Sequence, residues 1–251
     1  MSNGLHQFLV AAALAGLILY GAPPPAPEKI DAQPKVVTPG AQPGQPPSDA
    51  IVLFDGKDVA QWAYKDGRPA AWPIVDGVLT CKSGTGNIYT KQKFASAQIH
   101  VEFATPYMPN AHGQARGNSG VYLQGRYEIQ ILDSFNNPTY SNGSAGSLYG
   151  QYAPLVNVTR PPGQWQNYDI IFHAPICGKS AADRKITTPG TVTVLQNGVL
   201  VQDHVTIQGR TTSSDDTDPC EDGPLMLQDH FHPDVKETFM QFRNIWIRPL
   251  Q

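Results

Sequence analysis

Glu128 and Asp133 stand five residues apart in Tyr127-Glu128-Ile129-Gln130-Ile131-Leu132-Asp133, with the amide of Gln130 between them. Two carboxylates on one wall of a cleft are the usual equipment for cutting a glycosidic bond, one moving a proton while the other attacks or activates water. The segment alternates as a strand does. Tyr127, Ile129 and Ile131 share one face, and Glu128 and Gln130 share the other. An ideal strand puts Asp133 on the face opposite Glu128, so a common site for both acids requires a β-bulge between them. The plain alternative is an edge strand with ordinary surface acids.

The preceding segment extends the same polar face. If the hairpin turning at Gly125 keeps register, Tyr122, Gln124, Arg126, Glu128 and Gln130 line one side, while Val121, Leu123, Tyr127, Ile129 and Ile131 form a core side. A row of phenol, amide, guanidinium and carboxylate is the kind of surface that lines sugar-binding clefts, although a solvated outer face has the same pattern. Asn118-Ser119-Gly120 adds a small turn that exposes backbone. Leu227-Gln228-Asp229-His230 ends an apolar strand with three polar groups in succession. His230 can titrate near neutrality as an acid or base, or it is a turn histidine satisfied by Asp229. Arg243, in Phe242-Arg243-Asn244-Ile245-Trp246, sits in an apolar strand. It either pairs with a carboxylate such as Glu128 or clamps a substrate oxygen.

The elements that must position these groups are short strands. Twenty-three glycines and 23 prolines are too many for a helical protein and suit a chain of strands and turns. Asp76-Gly77 and Asn197-Gly198 each separate two apolar runs, a hairpin signal because both central positions need positive φ. Gln98 to Phe103 alternates, with His100 and Glu102 on its polar side. No stretch holds a helical period for three turns, and the strand spacing describes a β-sandwich. The irregular segments 106–118, 134–146, 153–164 and 209–223 are long enough to rim a cleft.

Charged residues make up 16% of the chain and the net charge is -3, with no basic stripe, which argues against nucleic acid as a partner. Phe8 to Tyr20 is an apolar run of 13 residues, short for a membrane span and right for a signal-peptide core. Pro23 directly after the small-residue exit disfavours cleavage, so residues 1–22 are expected as a signal peptide or an N-terminal membrane anchor. The expected location is therefore extracytoplasmic, periplasmic or secreted. Nine prolines lie between Pro23 and Pro47, so 23–49 is expected as a disordered, Pro-rich linker, followed by one β-sandwich domain over 50–251. Of the three cysteines, Cys177 and Cys220 bracket one segment and are the preferred disulfide, with Cys81 buried. The rival is three reduced thiols. The spacing matches no zinc motif, and no metal or cofactor is expected.

Several segments together resemble the 3-keto-disaccharide hydrolase domain family. They are Leu53-Phe54-Asp55-Gly56-Lys57 with Trp62, Trp72 to Leu79, Asn118 to Tyr122, Tyr127 to Asp133, Tyr149-Gly150 to Ala153-Pro154, Gly163-Gln164-Trp165-Gln166, Asn197-Gly198-Val199, Gly223-Pro224 to His230, and Phe242 to Trp246. The resemblance implies an all-β, concanavalin A-like jelly roll of two antiparallel sheets, one holding a carbohydrate. The chain departs from the family's pattern in the loop from Cys177 to Ile186, in the Asp215-Asp216 segment and in Phe231-His232-Pro233. The implied substrate is an oxidised glycoside or disaccharide. A C3 ketone acidifies the C2 hydrogen, a base removes it, the C1 group leaves, and water adds back. For that chemistry the assignment is Glu128 or His230 as base, Arg243 with Gln130 at the enolate oxygen, and Asp133 or His230 as leaving-group acid. Glu102 and Asn118 orient hydroxyls, and Tyr122, Gln124, Arg126, Gln228 and Asp229 line the substrate. Three alternatives stay open: a non-catalytic carbohydrate-binding module, a conventional retaining glycosidase, and an adhesion domain held out on the proline tether. The spacing of Glu128, Gln130 and Asp133 is similar to the three-carboxylate signature of retaining β-glucanases, but with an amide in the middle and a shorter last acid.

Overall fold

The computed structural model describes residues 1, 33–180, 184–230 and 239–250. Contacts divide the chain into two units, 1–36 and 37–251. The expected N-terminal apolar segment lies outside the described residues. Among those described, no helix is long and apolar enough to cross a membrane.

The second unit is a sandwich of antiparallel strands, with two 3-10 turns and no longer helix among the described residues. Its strands are β1 (Ile51–Phe54), β2 (Trp62–Tyr64), β3 (Ile74–Val75), β4 (Val78–Cys81) and β5 (Ile88–Phe94). There follow β6 (Ala97–Ala104), β7 (Asn118–Leu123), β8 (Tyr127–Leu132), β9 (Gln166–His173) and β10 (Ile176–Cys177). The last are β11 (Ile186–Thr188), β12 (Thr191–Gln196), β13 (Val199–Thr206), β14 (Gly223–Leu227) and β15 (Met240–Pro249). An eight-stranded sheet runs β13-β12-β9-β6-β15-β4-β3, with β1 also on β15. A five-stranded sheet runs β2-β5-β14-β7-β8, and β10 with β11 makes a separate ribbon.

Local chemistry dictates the turns. Asp76 and Gly77 have φ of 50° and 76°, and Asn197 and Gly198 have 53° and 81°, the doubly positive pairs that tight hairpins demand. Alternation dictates the core. Tyr127, Ile129 and Ile131 of β8 face Tyr168, Ile170 and Phe172 of β9 in one apolar cluster, with the Tyr127 and Phe172 rings 6.0 Å apart. Each such fully buried side chain contributes about 1.5–3 kcal/mol of transfer energy, which is what holds the sheets face to face.

Two expectations change. Residues 37–49, read as part of a disordered linker, belong to the compact unit. They fold back as a loop closed by Ser48 N donating to the Thr38 carbonyl (2.9 Å) and anchored by Asp49 on Arg248 (2.9 Å). Composition argued for disorder because the segment has little apolar surface, whereas polar and backbone bonds to the sheet order it. The bulge that would carry Asp133 onto the face of Glu128 is absent. β7 and β8 pair in unbroken register from Asn118 opposite Leu132 to Leu123 opposite Tyr127. Cys177 and Cys220 form the disulfide, and Cys81 is free and buried.

Candidate active site on the five-stranded sheet

Across the outer face of the five-stranded sheet, Tyr89, Met226, Tyr122 and Glu128 fall in one row, each opposite the next. One step along, Gly120 lies opposite Gln130, and Gln228 N donates to the Gly120 carbonyl (3.1 Å). Gly120 is required there. A Cβ would stand 2.5 Å from Glu128 Oε1 and 2.8 Å from a Tyr122 ring carbon. The missing side chain is the space the carboxyl occupies.

Glu128 is only 3% exposed. Burial pushes its pKa up to about 8, against the opposing effect of a hydrogen bond from Tyr122. The Gln130 amide, turned so that its NH2 faces the carboxyl, donates to Glu128 Oε1 (3.0 Å) and to the Ser119 carbonyl (2.9 Å). Gln228 Nε2 donates to the Tyr122 hydroxyl (3.0 Å), and Ser119 Oγ holds the Gln228 carbonyl (2.7 Å). The Tyr122 phenol is itself raised by burial and by the neighbouring carboxylate. A carboxyl in this setting is a stronger base than a surface glutamate, and it is mostly protonated at neutral pH, so it acts as a base through its ionised fraction, which grows as pH rises.

The burial comes from loops that seal the open edge of β8. Tyr149 N donates to the Glu128 carbonyl (3.0 Å), and Gly146 N and Ser147 O pair with Gln130. Glu128 N donates to Thr211 Oγ1 (3.0 Å). An exposed edge strand is thereby covered, and Tyr149 is placed beside the acid. Its phenol is raised by burial, by the hydrogen bond with Tyr140 and by Glu128.

Of the residues expected at the site, the structure brings Tyr122, Glu128, Gln130 and Gln228 together. Others lie nearby in different work. Gln124 and Arg126 are buried and structural. Gln124 Nε2 donates to the Phe94 carbonyl (3.0 Å), and Arg126 donates to Gln124 Oε1, Thr217 Oγ1 and the carbonyls of Asp218 and Glu221. Asn118 donates to the Gln114 carbonyl (2.9 Å). Asp229 accepts from Gly86 N (2.8 Å), and the exposed His230 lines a small cavity with Asp229, Arg116, Asn118 and Cys81. Asp133 is fully buried and paired with Arg116. Burial raises its pKa and the guanidinium opposes that rise. With no bulge, Asp133 falls on the face of the strand opposite Glu128, so the two carboxyls do not flank one glycosidic bond as paired glycosidase carboxylates do. Arg243 does not pair with Glu128. Its Nε meets Glu102 Oε2 (2.6 Å) on the outer face of the other sheet.

Gly120, Met226, Tyr89 and Tyr149 were not singled out as site residues. Met226 follows from alternation two residues before Gln228. Tyr149 has no local signal, because only the loop's path along β8 brings it near. Among the described residues no cluster of three or more His, Cys, Asp or Glu side chains converges as metal ligands would.

An antiparallel sandwich carrying a buried acid among phenols and amides is the build of a carbohydrate-active domain. The model of the 3-keto-alpha-glucoside-1,2-lyase-like domain matches residues 49–248, and the chain belongs to this family. A solved structure of a protein from Parabacteroides distasonis ATCC 8503, provisionally assigned as a glycosyl hydrolase, is 45% identical. The match covers 89% of this chain and 95% of that one, with a TM-score of 0.78. Two more structures from the same organism, with the same provisional assignment, share the fold at 21% identity. One has a TM-score of 0.58 over 81% of this chain and 94% of the other. The second has 0.52 over 80% and 99%. Among curated proteins none matches this chain.

Proposed function

We propose that the chain cleaves glycosides already oxidised to a ketone at C3, with Glu128 as the base that takes the C2 proton. The observation that carries this reading is the buried Glu128 carboxyl with its pKa raised to about 8. In the elimination, the C2–H bond gives its proton to Glu128 and its electron pair becomes the enolate. The C1–O bond then breaks, the leaving oxygen takes a proton, and an unsaturated ketone remains. Water adding across that double bond completes a net hydrolysis. Tyr122 and the Gln130 amide hydrogen-bond the Glu128 carboxyl itself, and they fit the role of holding it in position to take the proton. The Tyr149 phenol beside Glu128 fits that of proton donor to the leaving group. The chemistry needs one carboxylate rather than two, which agrees with Asp133 being engaged by Arg116.

The test offers the protein a 3-keto-glucoside and its unoxidised parent. Release of the aglycone from the keto compound alone, and a fall of about 10²–10⁴-fold in Glu128→Gln, is the expected result. Cleavage of the parent, or full turnover by Glu128→Gln, would refute the assignment.

A further inference from the structure

The outer face of the eight-stranded sheet carries a second organised polar surface. Asp169, His100 and Trp246 lie opposite one another across β9, β6 and β15, and Asn167, Glu102 and Arg243 form the adjacent row. The loop over residues 38–48 crosses this face. The Gly44 carbonyl accepts from Asn244 Nδ2 (2.8 Å) and Trp246 Nε1 (2.8 Å). Between that loop and Trp165 opens a cleft of about 400 Å³, with Asn167, Asp169, His100 and Arg160 in its lining, within the ~300–1,000 Å³ typical of small-molecule sites.

The electrostatics select the ligand. Arg243 is taken up by Glu102 (2.6 Å) and stacks 4.0 Å over the Trp165 ring. His100 Nδ1 is paired with Asp169 Oδ1 (2.6 Å), and Arg160 Nη1 donates to the Trp165 carbonyl (2.8 Å). Both carboxylates are taken up by cations, so a cationic ligand finds no free counter-charge, while Arg160 is held by a carbonyl and keeps N–H groups to give to a hydroxyl oxygen. What remains is hydrogen-bonding capacity beside an aromatic surface. Asn167 gives its NH2 to Asp169 Oδ2 (2.7 Å), leaving its amide oxygen. His100 is 2% exposed and its Nε2 is buried 3.6 Å from Glu102 Oε1, so it holds the Asp169 and Glu102 carboxylates in place and does not itself meet a ligand. Planar amides and carboxylates next to a partly exposed tryptophan match the alternating hydroxyl and C–H faces of a pyranose.

We propose that this cleft is a second carbohydrate site, on the face of the sandwich away from Glu128, that takes an uncharged pyranose unit or the end of a short oligosaccharide. It involves no chemistry and does not depend on the catalytic reading. The test is calorimetric titration of the full chain with maltose, cellobiose and trehalose, with glucose and glucose 6-phosphate as monosaccharide probes. The expected result is saturable binding of a neutral sugar that Glu128→Gln leaves unchanged and that Trp165→Ala and Asn167→Ala each weaken by about tenfold or more. If Trp165→Ala fails to fold, Asn167→Ala decides. Absence of binding, binding unaffected by Asn167→Ala, or loss of binding in Glu128→Gln would overturn the proposal. Tighter binding of glucose 6-phosphate than of glucose would overturn the assignment to uncharged ligands.

Discussion

Replacing Glu128 by glutamine should make the protein more stable as pH rises. In the folded state the carboxyl keeps its proton up to about pH 8, whereas in the unfolded chain it loses it near 4.5. Below pH 4.5 both states are protonated and the native carboxyl costs nothing extra. Between 4.5 and about 8 the folded chain holds one proton more than the unfolded chain, so stability falls by about 1.4 kcal/mol per pH unit. The loss over the window is roughly 5 kcal/mol, and it levels off above about pH 8. Glutamine has nearly the same shape and does not ionise, so Glu128→Gln escapes this decline. Another group titrates in an overlapping range. Burial opposes charge on His100, but its bond to Asp169 and the nearby Glu102 carboxylate outweigh that and hold its pKa up at about 9, so its contribution also fades as pH rises from 6.5 through 9. His100 is present in both proteins, and the difference between them isolates Glu128. Urea unfolding of wild type and Glu128→Gln from pH 5 to 9 should give a stability difference that grows by several kcal/mol in favour of the variant. A difference that stays flat across that range would refute the buried, protonated carboxyl and remove the basis for its catalytic role. If Glu128 is the base, kcat/KM of the wild type for a keto-glycoside should rise with pH toward a plateau above about 8.

Gly120→Ala puts a methyl group against Glu128 and Tyr122. It should cost about 1–3 kcal/mol and reduce keto-glycoside cleavage well beyond that modest destabilisation, as read by thermal melts alongside kinetics. Arg126→Met leaves Thr217, Asp218 and Glu221 without the guanidinium that holds them. Stability should fall by roughly 2–4 kcal/mol, and limited proteolysis should cut within 209–222 before anywhere else in the sandwich. Reducing the Cys177–Cys220 disulfide, which spans a sequence separation of 43, should lower stability by up to about 4 kcal/mol. The shift appears as a lower urea midpoint in the presence of reductant and is absent in a Cys177→Ser, Cys220→Ser variant.

The two-sheet arrangement explains why segments shared with the family divide into two groups. Asn118 to Tyr122, Tyr127 to Gln130 and Gln228 build the Glu128 site, whereas Trp165 and Arg243 stand on the opposite face with Glu102. Within the first group the backbone constrains the chemistry closely. Register alone places Glu128 beside Tyr122, and one glycine sets how near the carboxyl comes to the sheet.

Much of this was legible in the chain itself, because it follows from local physics. Asp76-Gly77 and Asn197-Gly198 name their turns through the positive φ they require, and the alternation of Tyr127, Glu128, Ile129 and Gln130 assigns each side chain to a face. The same alternation cannot say which sheet a strand joins. Glu102 and Glu128 both stand on outward faces of apolar strands and look alike in sequence, yet β6 and β8 lie in different sheets, so a Glu128–Arg243 pairing was as plausible as the Glu102–Arg243 pair that forms. Nor does alternation reveal that Asp133 is claimed by Arg116, or that Tyr149 lies along β8. Sheet membership and loop paths are settled by long-range pairing and core packing, where many weak contacts are summed over the whole fold. The chain determined strands, turns and faces; tertiary structure alone decided which polar groups meet and how deeply Glu128 is buried.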